Sequence, residues 1–215
     1  MYVSNSELRA RARETLGTQI FDKKWLYAIA SAVIVSAILS AVSGMSFGIG
    51  TMLLTGPLYV GFHKLFLSLV RRGDEAKIGE TFEGCYDFGS NLVLGIMHSL
   101  IISLWSLLFI IPGIVKAYSY SLVYFIKADH PEYDWRKCLS ESERLMSGNR
   151  WNLFCLHLSF IGWHLLGGIV CCGIGAMWSG AYQSTATAHF YEELKKQDEP
   201  YTFEPFAGDP TQNNT

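Results

Sequence analysis

Residues 25–63 read WLYAIASAVIVSAILSAVSGMSFGIGTMLLTGPLYVGFH, 39 positions from Trp25 to His63 without one Asp, Glu, Lys or Arg. At ~1.5 Å per residue a single helix of that length would be ~58 Å long, close to two crossings of a ~30 Å hydrocarbon core. Small residues interrupt the run near its middle, at Ser43-Gly44-Met45-Ser46-Phe47-Gly48. Glycine favours turns and helix ends, so the run reads as a hairpin of two membrane helices.

Two further blocks repeat the pattern. Phe88 to Ile126 holds one charge, Lys116, in 39 residues, and Trp151 to Tyr191 holds none in 41. The second breaks at Pro112-Gly113, because proline removes a helical donor, and the third breaks around Cys171-Cys172-Gly173-Ile174-Gly175. The expected fold is an all-α polytopic transmembrane helix bundle of about six spans in three hairpins. The spans fall near 25–43, 49–70, 92–111, 113–128, 152–171 and 175–193. The fourth is short, and 92–128 could instead be one kinked element. The whole chain agrees with this class: of 215 residues 17% are charged and 50% hydrophobic, where a soluble protein carries roughly 25% charge. These numbers argue against a soluble domain, a nucleic-acid binder and a disordered chain.

An amphipathic stretch precedes each hairpin. Leu8, Ala12 and Leu16 share one face of the first, with Arg9, Arg11 and Arg13 on other faces and Ser4 and Glu7 spaced as a capping box. Ile78, Phe82 and Tyr86 share a face in the second, and Trp135, Leu139, Ser142 and Met146 in the third. The returning helices align as well. Gly56 precedes Arg71 by 15 residues, Gly113 precedes Lys127 by 14, and Gly180 precedes Lys195 by 15. An apolar or aromatic run lies just before each basic residue: Phe66-Leu67, Val123-Tyr124-Phe125 and Phe190-Tyr191. These matches predict three copies of one unit, an interfacial helix followed by a hairpin, over about 4–72, 77–128 and 134–196. Residues 1–196 then form a single membrane domain, and 197–215, polar with three prolines, form a flexible cytoplasmic tail.

In the six-span arrangement 15 of the 17 Lys and Arg residues, and all 19 acidic ones, fall on one side. The positive-inside rule puts that side, and both termini, in the cytoplasm of a multi-pass plasma-membrane protein. The first apolar run begins behind a charged helix and is too long for a signal-peptide core, so the N-terminus is expected to be retained. Cys85, Cys138, Cys155, Cys171 and Cys172 form no CxxC pair and read as small apolar packing residues.

No GxSxG, HExxH, Walker or GxGxxG motif is present. The sequence thus implies no enzyme, no metal and no cofactor. Polar residues at membrane depth are the remaining pointers to a site. Lys64 and Lys116 either snorkel along their stems, Lys116 outwards from the nearby turn, or line a polar cavity that attracts an anionic group. His98, His157 and His164 complete the candidate set. His157 and His164 are seven apart on one helical face, and the bland reading is interhelical hydrogen bonding. Ser99, Ser103 and Ser106 read the same way. The cationic helix carrying Arg9, Arg11 and Arg13 is expected to lie on an anionic inner leaflet; docking to a partner protein is its second reading, and nucleic-acid binding a poor third.

Several segments resemble a known family. They are Ser6 to Leu16, Ile111 to Tyr120, Ser142 to Asn149, Leu158 to Gly167, and Tyr182 to Tyr191 with Phe190. The chain resembles, over about 6–194, a family of uncharacterised bacterial integral membrane proteins, found largely in Gram-positive bacteria and catalogued as domain of unknown function number nine hundred and seventy-five. The resemblance implies a polytopic plasma-membrane protein. It marks Gly113, Lys116 and Trp163 as family-pattern positions and transfers no catalytic residue. Three functions compete. A membrane scaffold or accessory subunit suits a plain outer face and a dense cytoplasmic one, with a membrane-protein partner beside the bilayer. A small transporter or channel for an anionic or amphiphilic solute suits the repeats and the intramembrane lysines. An enzyme acting on lipid head groups lacks a nucleophile or metal constellation.

Overall fold

The computed structural model describes residues 4–16, 23–46, 49–73, 76–170 and 174–198, and all regular structure among them is helical. In chain order the helices are α1 (Asn5–Leu16), α2 (Lys23–Ser46), α3 (Ile49–Arg72), a 3-10 helix (Ile78–Cys85), α4 (Phe88–Leu108), α5 (Ile110–Ser119), α6 (Val123–Asp129), α7 (Trp135–Leu145), α8 (Arg150–Val170) and α9 (Ile174–Asp198). Three stretches of the described helices are long and apolar enough to cross a membrane: Lys23–Ser43, Leu53–Arg72 and Phe88–Leu107. The stretch in α3 is more than half buried, whereas little of those in α2 and α4 is buried. The expected tail begins as the end of α9, and residues 199–215 lie outside the described residues.

α3 is the central helix. It packs on α2, the 3-10 helix, α4, α6 and α9. The three apolar runs aligned in the sequence meet around it, and Phe66, Leu67, Val123, Tyr124, Phe125, Phe190 and Tyr191 are all buried in one cluster. The Phe125 and Tyr191 rings stack at 5.9 Å. The amphipathic elements follow an order that chain sequence alone does not reveal. α1 packs chiefly on α9, the 3-10 helix on α3, and α7 on α6. Leu8, Ala12 and Leu16 are buried on the expected face of α1, as are Leu139, Ser142 and Met146 in and just after α7. Ser4 begins α1 through its carbonyl and through its hydroxyl, which accepts from the Ser6 N–H at 3.3 Å, while Glu7 accepts from Arg11.

Two expectations are corrected. Residues 78–86 were expected to bury Ile78, Phe82 and Tyr86. They form a 3-10 helix that buries Glu80, Thr81 and Gly84 instead, leaving Phe82 43% and Tyr86 90% exposed. A 3-10 helix turns every three residues, so an i, i+4, i+8 series does not share its face. Glycines bring its backbone directly onto α3. A Cβ on Gly61 would sit 1.9 Å from the Thr81 carbonyl oxygen, and one on Gly84 would sit 2.0 Å from that of Pro57. Gly56 and Gly95 carry α4 across α3 in the same way.

The second correction concerns 113–128, expected as one span with its turn at Pro112-Gly113. It is two short helices. The chain turns at Phe109, which is extended (φ −154°, ψ 134°), and Pro112 lies in the first turn of α5. A proline there loses no intrahelical bond, because first-turn N–H groups have no partner in any helix. Gly113 then lets α5 close onto Ser106 of α4. The break after Ser119 has hydroxyl groups around it. Ser119 Oγ donates to the Val115 carbonyl (2.8 Å), Ser121 Oγ to that of Tyr118 (2.9 Å), and Ser142 Oγ of α7 to that of Ser119 (2.8 Å). Side-chain donors that occupy these acceptors compete with continuation of the helix.

Candidate functional site

Two of the three basic residues that end the returning helices converge on one carboxylate. Asp129, at the end of α6, accepts from Arg71 Nη1 of α3 at 2.6 Å on Oδ1. On Oδ2 it accepts from Lys195 Nζ of α9 at 2.8 Å and from the Tyr191 hydroxyl at 3.1 Å. Arg71 also donates through Nε to Glu192 Oε1 at 2.8 Å. Burial opposes ionisation of Asp129, but the hydrogen bonds from Arg71 and Lys195 outweigh it and hold the carboxyl well below the usual range. Lys127, the third aligned basic residue, turns the other way and is 2% exposed. Its ammonium donates to Ser90 Oγ (2.7 Å), the Pro131 carbonyl (2.6 Å) and the Tyr133 carbonyl (2.9 Å), which uses all three donors and pins the α6–α7 loop to the start of α4.

Both candidate lysines are engaged by carboxylates. Lys64 Nζ lies 2.6 Å from Glu83 Oε2 of the 3-10 helix. Lys116 does not reach outwards from the turn. It lies 2.6 Å from Glu143 Oε1 of α7 and over the rings of Trp105 and Tyr120. The hydrogen bond from Lys116, more than burial opposes it, lowers the Glu143 pKa. α1 is tied to α9 similarly: Arg11 Nη1 donates to Glu193 Oε1 at 2.6 Å, Thr15 Oγ1 and His189 Nε2 are 2.8 Å apart, and the Tyr182 hydroxyl donates to the Arg9 carbonyl at 2.8 Å. Of the three arginines, Arg11 is thus an internal contact, whereas Arg13 is exposed.

The histidines do not gather. His98 joins an aromatic cluster with Tyr124 and His63. Its Nδ1 is 3.2 Å from the Tyr124 hydroxyl, and His63 stacks on the same Tyr124 at 5.6 Å between centroids. His157 Nε2 is 3.4 Å from Thr187 Oγ1, an interhelical contact between α8 and α9. The side chains of His164 and Trp163 lie outside the described residues. Among the described residues no three His, Cys, Asp or Glu side chains come together as a metal-binding group. What sequence reading missed is the set of carboxylates, Glu83, Asp129, Glu143 and Glu193, that the basic residues seek. The available signal was position: Asp129 lies two residues past Lys127, where the aligned helices end.

No curated protein sequence and no solved structure matches the chain significantly. The model of one family matches residues 1–119 and 107–198, and its description is "Protein of unknown function (DUF975)". The helical fold with its apolar helices and this match over nearly the whole chain agree, and the protein belongs to the DUF975 family.

Proposed function

We propose that the protein is an accessory or scaffold subunit of the plasma membrane, built as three same-direction helical hairpins, the second of which returns through the two short helices α5 and α6, with both termini and the charged end in the cytoplasm. Nothing in this reading calls for catalysis, a cofactor, a metal or nucleic acid. The observation that carries it is the use made of the cations at membrane depth. Lys64 and Lys116, the residues an anionic solute would need, are each paired at 2.6 Å with a carboxylate of the amphipathic element that follows. Charge that closes the fold on itself serves a rigid module rather than a permeation path.

The repeat of three units is part of the same proposal. The amphipathic element of the second unit packs on the returning helix of the first, and that of the third on the returning arm of the second; α1, from the first unit, packs on α9 of the third. A ring of three like units has this contact order. The outer half of such a module is left with apolar helix faces for lipid and for a neighbouring membrane protein.

The test is native mass spectrometry of the protein gently extracted from its own membrane, alongside flux assays on Lys64→Ala and Lys116→Ala. The accessory-subunit reading expects a second membrane protein at fixed stoichiometry and no change in any solute flux. A bound small solute in place of a protein, lost together with flux in either variant, overturns it in favour of a transporter.

A further inference from the structure

The cluster around Lys116 contains one cation more than its carboxylate can satisfy. Glu143 Oε1 accepts from Lys116 Nζ at 2.6 Å, and Glu143 Oε2 accepts from the Tyr120 hydroxyl at 3.4 Å. Arg150, the first residue of α8, brings Nη2 only to 3.9 Å from Glu143 Oε1. Its Nε is buried and has no acceptor among the described residues. A guanidinium has five N–H donors in a fixed fork, so most of those on Arg150 remain unspent. Two cations share one carboxylate, and the cluster carries a net charge of +1.

The surroundings say what kind of anion would be accepted. The cluster borders exposed apolar surface rather than a closed chamber. Trp151, next to Arg150, is 70% exposed, and Trp105, whose ring lies 5.8 Å from Lys116 Nζ, faces outwards together with Ile114 and Val115. Phe109 and Ile111 continue this apolar face to the α4–α5 turn, with Ile111 77% exposed. An anion held here must carry a long apolar body. Tryptophan beside a cation is also the pairing found at the headgroup level of bilayers. The geometry points to a binding site for one anionic phospholipid: its phosphate accepts from Arg150, with Lys116 beside it, Trp151 lies at the headgroup, and an acyl chain runs along the outer face of α4 and α5. Glu143 sets the strength of the site, because it competes with the phosphate for the same two cations. The site is independent of the accessory-subunit reading, since it takes a lipid whichever protein lies alongside.

The experiment reconstitutes the full chain in vesicles of phosphatidylcholine with phosphatidylglycerol as the minor lipid, extracts it gently, and counts retained lipids by native mass spectrometry. The wild type is expected to keep one phosphatidylglycerol in preference to phosphatidylcholine. Arg150→Gln removes a charge-assisted fork and should lower that retention about tenfold. Glu143→Gln removes the competing anion and should raise it. Thermal unfolding of each variant checks the fold, and if Arg150→Gln does not fold, the Glu143→Gln arm decides alone. Equal retention of the two lipids by the wild type overturns the proposal. So does unchanged retention in a folded Arg150→Gln, or a Glu143→Gln variant that is folded and binds no more phosphatidylglycerol than the wild type.

Discussion

Gly61→Ala is expected to be the most damaging single-methyl change in the described part of the protein. The added carbon would lie 1.9 Å from the Thr81 carbonyl oxygen and 2.7 Å from its carbon, both backbone atoms of the 3-10 helix. No side-chain rotation relieves such a clash, so α3 and the 3-10 helix must separate. That opens the contact at Gly84 and Pro57, one helical turn away. Overpacking costs typically 1–3 kcal/mol when side chains can adjust, and we expect at least ~3 kcal/mol where backbone must move. Thermal unfolding in mild detergent should show a markedly lowered midpoint. Gly89→Ala is the control, because a Cβ there meets nothing within 4 Å and the midpoint should hardly change.

Asp129→Ala should be the second largest effect. It leaves Arg71 and Lys195 facing each other without their shared carboxylate, and takes the acceptor from the buried Tyr191 hydroxyl. Breaking a buried ion pair from one side costs roughly 3–5 kcal/mol. The Arg71 and Lys195 side chains are 37% and 35% exposed, and Arg71 keeps Glu192, so about 2–3 kcal/mol is the appropriate scale here. The pH dependence has a definite sign. The Asp129 carboxyl is depressed in the folded state, so its contribution is fully present above the unfolded value near 3.9 and is lost only as pH falls through the native value. The wild type should therefore lose this stabilisation below about pH 4. The Asp129→Ala variant should lack that component of the acid loss, and the two stability curves should converge towards low pH. Parallel curves down to strong acid would remove Asp129 as the tie between α3, α6 and α9.

Burial and charge patterning made much of this architecture readable. Three blocks of about 40 residues with at most one charge each announce apolar helices because hydrocarbon excludes unpaired charge over tens of ångströms. The faces of α1 and α7 could be read because both are regular α-helices with 3.6-residue periodicity. The apolar runs before Arg71, Lys127 and Lys195 were visible as similar segments, and the structure brings them together as the core. The 3-10 helix could not be read in the same way. Its period differs, and glycine contacts rather than apolar side chains decide which side faces α3. The partners of the lysines were hidden for a different reason. Lys116 and Glu143 are 27 residues apart and Arg71 and Asp129 are 58 apart. Such pairings depend on which helix lies beside which, and that order does not follow chain order, since α1 closes on α9. Arg150 escaped notice because it read as one more positive charge at the cytoplasmic end of a span. Only its buried Nε and its long approach to Glu143 distinguish it.

The most direct measurement of the account is cysteine labelling from the two sides of the membrane. Phe109, at the α4–α5 turn, and Glu132, in the loop between α6 and α7, are both exposed. Each is replaced by cysteine in a chain whose five native cysteines are alanine. An impermeant maleimide is then applied to intact cells and to permeabilised ones. Hairpins that all open towards a cytoplasmic charged end predict that Phe109→Cys reacts in intact cells and Glu132→Cys only after permeabilisation. Reaction of Glu132→Cys from outside, or of Phe109→Cys only after permeabilisation, would contradict the three-hairpin architecture.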